Sequence, residues 1–89
     1  MSTLFPTGRL VITPRVDQEL DIRDVIHALR RHVRGDWGTV CEEDWAENDR
    51  ALQHGSRILS AYADLRGITF WIISEADRSS TTVLLPDDY

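Results

Sequence analysis

Lysine is missing from this chain: all ten basic residues are arginine. A codon bias toward GC-rich arginine codons accounts for that; read as selection, it would favour bidentate recognition of carboxylates or phosphates. Cysteine is confined to Cys41, which excludes an internal disulfide and suits a reducing cytoplasm. No apolar run approaches the roughly 20 residues that span a bilayer. Met1 to Pro6 has neither the basic start nor the apolar stretch of a secretory signal. Repeats, low-complexity tracts and linkers are also missing, so a single domain over residues 1–89 is expected. A domain of this size has a stability of roughly 4–13 kcal/mol.

What is present begins with acid. Fifteen acidic residues against ten arginines leave a net charge of −5. That balance disfavours direct binding to nucleic acid or an anionic membrane, which draws on phosphate neutralisation. It suits a basic protein partner.

Local patterns predict the elements. Arg9 to Thr13 reads as a short strand stopped by Pro14. Asp21 is placed as the N-cap of a helix over about Ile22 to Val33, with Ile22, Val25, Ile26, Leu29 and Val33 as its apolar stripe. Arg30, Arg31 and Arg34 lie in its last turn, where cations favour the dipole. Gly35-Asp36-Trp37-Gly38 reads as a tight turn. A second helix is expected over about Glu42 to Gln53, with Trp45 and Leu52 toward the core and Gly55 closing it. Strands follow at Arg57–Ala63, Ile68–Ser74 and Thr81–Leu85, the middle one the most apolar and hence central. The expected class is α+β: two layers in the order β-α-α-β-β-β, an antiparallel three-stranded meander at the C-terminal end, and the helices on one face.

Two polar constellations carry the functional candidates. The knot Glu75-Ala76-Asp77-Arg78 lies between two apolar strands, where charges are costly unless paired. Asp77 is a candidate acid, base or metal ligand and Arg78 an anion clamp; structurally, Asp77 would accept turn amides while Arg78 pairs with Glu75 or Asp36. The second holds Asp36, Glu42, Glu43, Asp44, Glu47 and Asp49, six acids in fourteen residues with no base among them. It reads as a divalent-cation site, an acidic docking face, or a solvated helix face with acids placed for the dipole. Trp37 either plugs the core or stands exposed as a binding anchor. His27, His32, Cys41 and His54 match no zinc spacing, no local signature marks a Cys–His nucleophile pair, and the hydroxyls of Ser79 to Thr82 have no nucleophile elbow around them.

Two segments together resemble a known family: GDWG at residues 35–38 and EADRSSTTVLLP at residues 75–86. They are similar to small bacterial proteins known as plasmid-related or hypothetical, the likeness covering about residues 25 to 89. Residues 14 to 22 depart from that pattern, which is longer and more helical there, and Ser74 stands where threonine is expected. The resemblance implies a bacterial, cytoplasmic protein carried on plasmids, integrative elements or prophages, and no particular activity.

Two functions are therefore expected in turn. The first is a non-catalytic interaction protein using Asp36, Trp37, Glu43, Asp44, Asp77 and Arg78 to bind a host or element protein, for instance to interfere with a nucleic-acid-handling defence complex. It requires no cofactor, and an open sheet edge would allow a homodimer. The alternative is a small hydrolase or nucleotide-acting enzyme holding Mg²⁺ or Mn²⁺ on Asp36, Glu43, Asp44 and Asp77, with Arg78 on a phosphate. A DNA-binding regulator is disfavoured, because no second basic recognition helix follows the first.

Overall fold

A computed structural model describes residues 3–89. The class is α+β. Strand β1 (Arg9–Ile12) leads into helices α1 (Pro14–Glu19), α2 (Ile22–His32) and α3 (Glu42–His54); strands β2 (Ile58–Ala63), β3 (Thr69–Ser74) and β4 (Ser80–Leu84) follow, and a 3-10 turn over Pro86–Asp88 closes the described chain. The antiparallel meander β2-β3-β4 forms as the short connections predict. β1 joins it in parallel beside β4, so the sheet is mixed, in the order β1-β4-β3-β2.

The expected order lacked α1. Pro14 does end β1, but it also opens a helix at a position where its missing N–H costs nothing. Thr13 caps that helix, its Oγ1 accepting from the Val16 amide at 3.4 Å. α2 begins on its Asp21 cap as expected, Oδ1 accepting from the Arg23 amide at 2.8 Å.

The buried face of α2 differs from the expected stripe. Val25 and, just past the helix, Val33 are buried as expected and Leu29 is half-buried, but Ala28 and His32 also point inward while Ile22 and Ile26 are exposed. The helix is rotated because its inner end carries a histidine with buried partners. Register places Ile58, Ser60, Tyr62, Phe70, Ile72, Ser74, Thr81 and Val83 on one face of the sheet. The buried residues of all three helices cluster with side chains of that face: Val16, Leu20, Val25 and Ala28 with Tyr62, Phe70, Ile72 and Val83, and Ala51 with Ile58, Trp37 and Phe5. On the opposite face Trp71 meets Tyr89 edge-on at 5.8 Å. No helix among the described residues is long and apolar enough to cross a membrane.

One of the two sheet edges is capped. Asn48 on α3 donates to Leu59 O (2.8 Å) and accepts from Leu59 N (3.3 Å), while Ala61 exchanges bonds with Trp37 O and Thr39 N. The outward backbone groups of Leu59 and Ala61 are thereby satisfied by one side chain and by the tryptophan turn.

Candidate functional site

Two loops that sequence reading singled out converge on one buried node, and residues it set aside form the centre. His32 Nδ1 lies 2.5 Å from Ser60 Oγ and Nε2 2.9 Å from Ser74 Oγ. Ser74 Oγ lies 2.7 Å from Thr81 Oγ1, which donates to Thr7 O at 2.8 Å. His32, Ser60, Ser74 and Thr81 have no exposed surface.

A carbonyl oxygen only accepts, so Thr7 O orients the whole chain. Thr81 spends its proton there, Ser74 therefore donates to Thr81, and His32 Nε2–H donates to Ser74. Nδ1 is left bare to accept from Ser60. This assignment, made from the network, gives a neutral imidazole with the proton on Nε2. Burial, with a smaller push from the Arg78 cation, lowers the His32 pKa from 6.5 to about 4. A serine beside a histidine is the pairing of a nucleophile and its base, but a pair sealed from solvent can reach no substrate. The network's work is to satisfy polar groups inside the core.

Aromatic rings seal it. The edge of the His32 ring meets Phe5 (5.3 Å) and Trp37 (5.7 Å), and Phe5 stacks on Trp37 at 6.3 Å. Arg78 lies over the outer face of Phe5, its Cζ 5.3 Å from the ring centroid. Phe5 is thus the bridge between the polar knot and the tryptophan turn; no hydrogen bond or ion pair among the described residues joins Asp36 or Trp37 to Asp77 or Arg78. Trp37 is the plug: it has no exposed surface, and its Nε1 donates to Asp49 at 3.0 Å, so its ring offers nothing for a partner to grip.

Arg78 makes neither of the ion pairs considered for it. Nη1 donates to the carbonyls of Ser56 (2.6 Å) and Glu75 (3.0 Å), and Nη2 to Ala51 O in the last turn of α3 (3.0 Å). A cation there also opposes the negative end of the helix dipole. The residue holds this position with a left-handed φ of 60°, a conformation that costs a side-chain-bearing residue about 1–2 kcal/mol. Three charged hydrogen bonds outweigh that strain. Arg78→Ala is expected to lower the unfolding free energy by about 3 kcal/mol. Arg78→Gly should lose about 1 kcal/mol less, because glycine relieves the backbone. Urea denaturation of both variants checks this; unchanged midpoints would mean the guanidinium is free for other work.

Asp36 is spent locally. It receives Arg31 Nε at 2.8 Å and Nη2 at 3.3 Å, and the Gly38 amide at 3.2 Å; the Arg31 guanidinium holds its carboxyl below the usual range. Asp77 accepts from the Ser79 amide at 3.0 Å in an Asx turn, and the Ser79 hydroxyl first, then that amide, lower its pKa. Asp49 is engaged by Trp37 and Glu47 by Arg50. Glu42, Glu43 and Asp44 remain, exposed on the first turn of α3, with no ion pair to any described residue. Asp44 and Glu47 line a shallow groove of 210 Å³ with Asn48, Arg57 and Leu59. Among the described residues no three His, Cys, Asp or Glu side chains are placed to hold one metal ion.

The signal for the buried node was present in composition: a histidine at the end of an apolar stripe, and serine or threonine inside three strands that otherwise read as core. Only cross-strand register brings Ser60, Ser74 and Thr81 to the same depth. Comparison of the chain with protein-family models, with curated proteins and with solved structures yields no match.

Proposed function

We propose that the protein is a non-catalytic binding module that presents the first turn of α3 to a basic surface of another protein. One observation carries this reading. Of the six acids between Asp36 and Asp49, three are used up by Arg31, Trp37 and Arg50, while Glu42, Glu43 and Asp44 stay exposed without a cation. They lie together on the first turn of α3, and Asp44 lines the groove beside it. Such a surface attracts a cationic partner over about a Debye length, roughly 8 Å at physiological salt. Interference with a nucleic-acid-handling complex in the bacterial cytoplasm is the concrete form, since a groove shaped for phosphates accepts an acidic helix end by the same electrostatics. The resemblance to proteins of mobile DNA motivates that form.

The test compares the wild type with the Glu42→Gln/Glu43→Gln/Asp44→Asn variant as bait in a bacterial lysate. The wild type is expected to retain a discrete partner that elutes as salt is raised, and the variant to lose it. Equal retention by both proteins would overturn the reading. The variant remains folded on this account, because each acid near a helix N-terminus contributes only about 0.3–1 kcal/mol.

A further inference from the structure

The sheet's other edge is open. β1 directs the Arg9 and Thr13 amides toward β4, to Ser79 O (2.9 Å) and Val83 O (3.1 Å). Alternation along the strand turns the backbone groups of Leu10 and Ile12 outward, and no described residue bonds to them. The strand is short, but it carries no lysine, no proline and no bulge, and Arg9 is its one charge. Its side chains are apolar and open, Leu10 47% and Val11 37% exposed.

α2 lies alongside this edge. Ile22 and Val25 share a groove with Ile12, and Ile26 and Leu29 share another, of 430 Å³, with Gly8 just before the strand. Ile22 (54% exposed) and Ile26 (43%) therefore extend the apolar surface from the strand onto the helix. Register turns Leu10 and Ile12 toward the helix-covered face and Val11 to the other, so the unpaired strand edge lies beside exposed apolar side chains of α2, a surface suited to another strand.

We propose that β1 pairs antiparallel with β1 of a second copy of this chain, joining the two sheets into one. A two-fold axis through Val11 sets Leu10 opposite Ile12 of the other copy, with both outward N–H and C=O groups exchanged, and Arg9 opposite threonine instead of another arginine. An axis perpendicular to the sheet keeps the helices of both copies on one face. The two α2 helices then run antiparallel with Ile22 and Ile26 between them. Charge supports the same arrangement: beyond the Asp21–Arg23 and Arg31–Asp36 pairs, α2 keeps Asp24 in its first turn and Arg30 and Arg34 at its end, so each acidic start meets a basic end. This surface is separate from the first turn of α3, and its failure would leave that reading untouched.

Analytical ultracentrifugation and amide hydrogen exchange of the full chain test it. At about 100 µM a dimer of micromolar affinity is assembled, and a species of twice the monomer mass is expected, with the Leu10 and Ile12 amides exchanging slowly and becoming fast on dilution. Leu10→Pro removes one outward donor without touching the bonds to β4, and Ile26→Glu places a charge in the seam. Each should weaken the dimer at least about tenfold. The exchange measurement needs no variant, so it decides the matter even if one of them misfolds. A monomer at that concentration, a dimer that neither variant weakens, or amide protection that ignores dilution would each overturn the proposal. Protection that arises only on adding an unrelated protein would assign the edge to a foreign strand and overturn self-pairing.

Discussion

Acidification from pH 7 to pH 4 is expected to remove about 3 kcal/mol of stability through His32 alone. The imidazole titrates near 6.5 in the unfolded chain and at about 4 in the fold, where burial disfavours its charged form. Between those values the unfolded state binds the proton and the folded state does not, so stability is full above pH 6.5 and falls as pH drops toward 4. The interval amounts to about 3 kcal/mol at about 1.4 kcal/mol per pH unit. The network supplies the mechanism: a proton on Nδ1 would face the Ser60 hydroxyl, which is already donating to that nitrogen. Asp36, Asp64 and Asp88 have carboxyls held below 3.8, so their losses fall at lower pH. Urea midpoints measured from pH 7.5 to 4 show the slope. His32→Leu should be less stable than the wild type at neutral pH, by about 2–4 kcal/mol, because the Ser60 and Ser74 hydroxyls lose partners. It should also lack the acid slope. A wild type whose midpoint is flat from pH 7 to 5 would show that the buried ring takes up a proton without cost.

Gly38→Ala is expected to cost more than about 4 kcal/mol, which threatens folding altogether in a domain of this size. The residue has a φ of +78°, and an added Cβ would sit 1.9 Å from Ala61 O and 2.8 Å from Tyr62 Cδ1. Neither neighbour can yield. Ala61 O accepts from Thr39 N at 2.8 Å and Ala61 N donates to Trp37 O at 3.2 Å, while Tyr62 Oη donates to Asp36 O at 2.7 Å. The turn is stitched to β2 on both sides, and the carbonyl that would be struck is part of the stitching. Gly67→Ala separates strain from collision. Its φ of +85° is similar, but nothing lies within 4 Å of the added carbon, so its cost should be only about 1 kcal/mol. Thermal melts read both: a fall of about 16 °C or more for Gly38→Ala and a few degrees for Gly67→Ala. Similar small shifts in the two would mean that the tryptophan turn is not pinned against β2.

The helices and the meander were legible because their causes are local. Asp21 caps α2, acids open α3, arginines close α2, and short connections between apolar runs make antiparallel neighbours. Pro14 misled for an equally local reason: a proline that stops a strand can also start a helix, and Thr13 at the N-cap was the sign. The face of α2 was beyond local reading. Spacing favoured Ile22 and Ile26 inward, but His32 had hydroxyl partners waiting on two separate strands, and satisfying that buried polar group turned both isoleucines toward solvent. The candidate site divides along the same line. Asp36, Asp77 and Arg78 were conspicuous as charges between apolar segments, yet backbone amides and carbonyls occupy Asp77 and Arg78, and Arg31 with the Gly38 amide occupies Asp36.

Taken alone, the sequence determined the α+β class, the positions of its two longer helices and the meander, and an excess of acid gathered in one short stretch, because hydrophobic period, caps and charge act between near neighbours in the chain. The tertiary structure decided the parallel seat of β1, the sealing of Trp37 and His32, and which acids stay exposed without a cation. Those outcomes depend on pairings between residues distant in sequence, such as Thr7 with Thr81 and Ala51 with Arg78, where desolvation makes each polar group find a partner that no local pattern names.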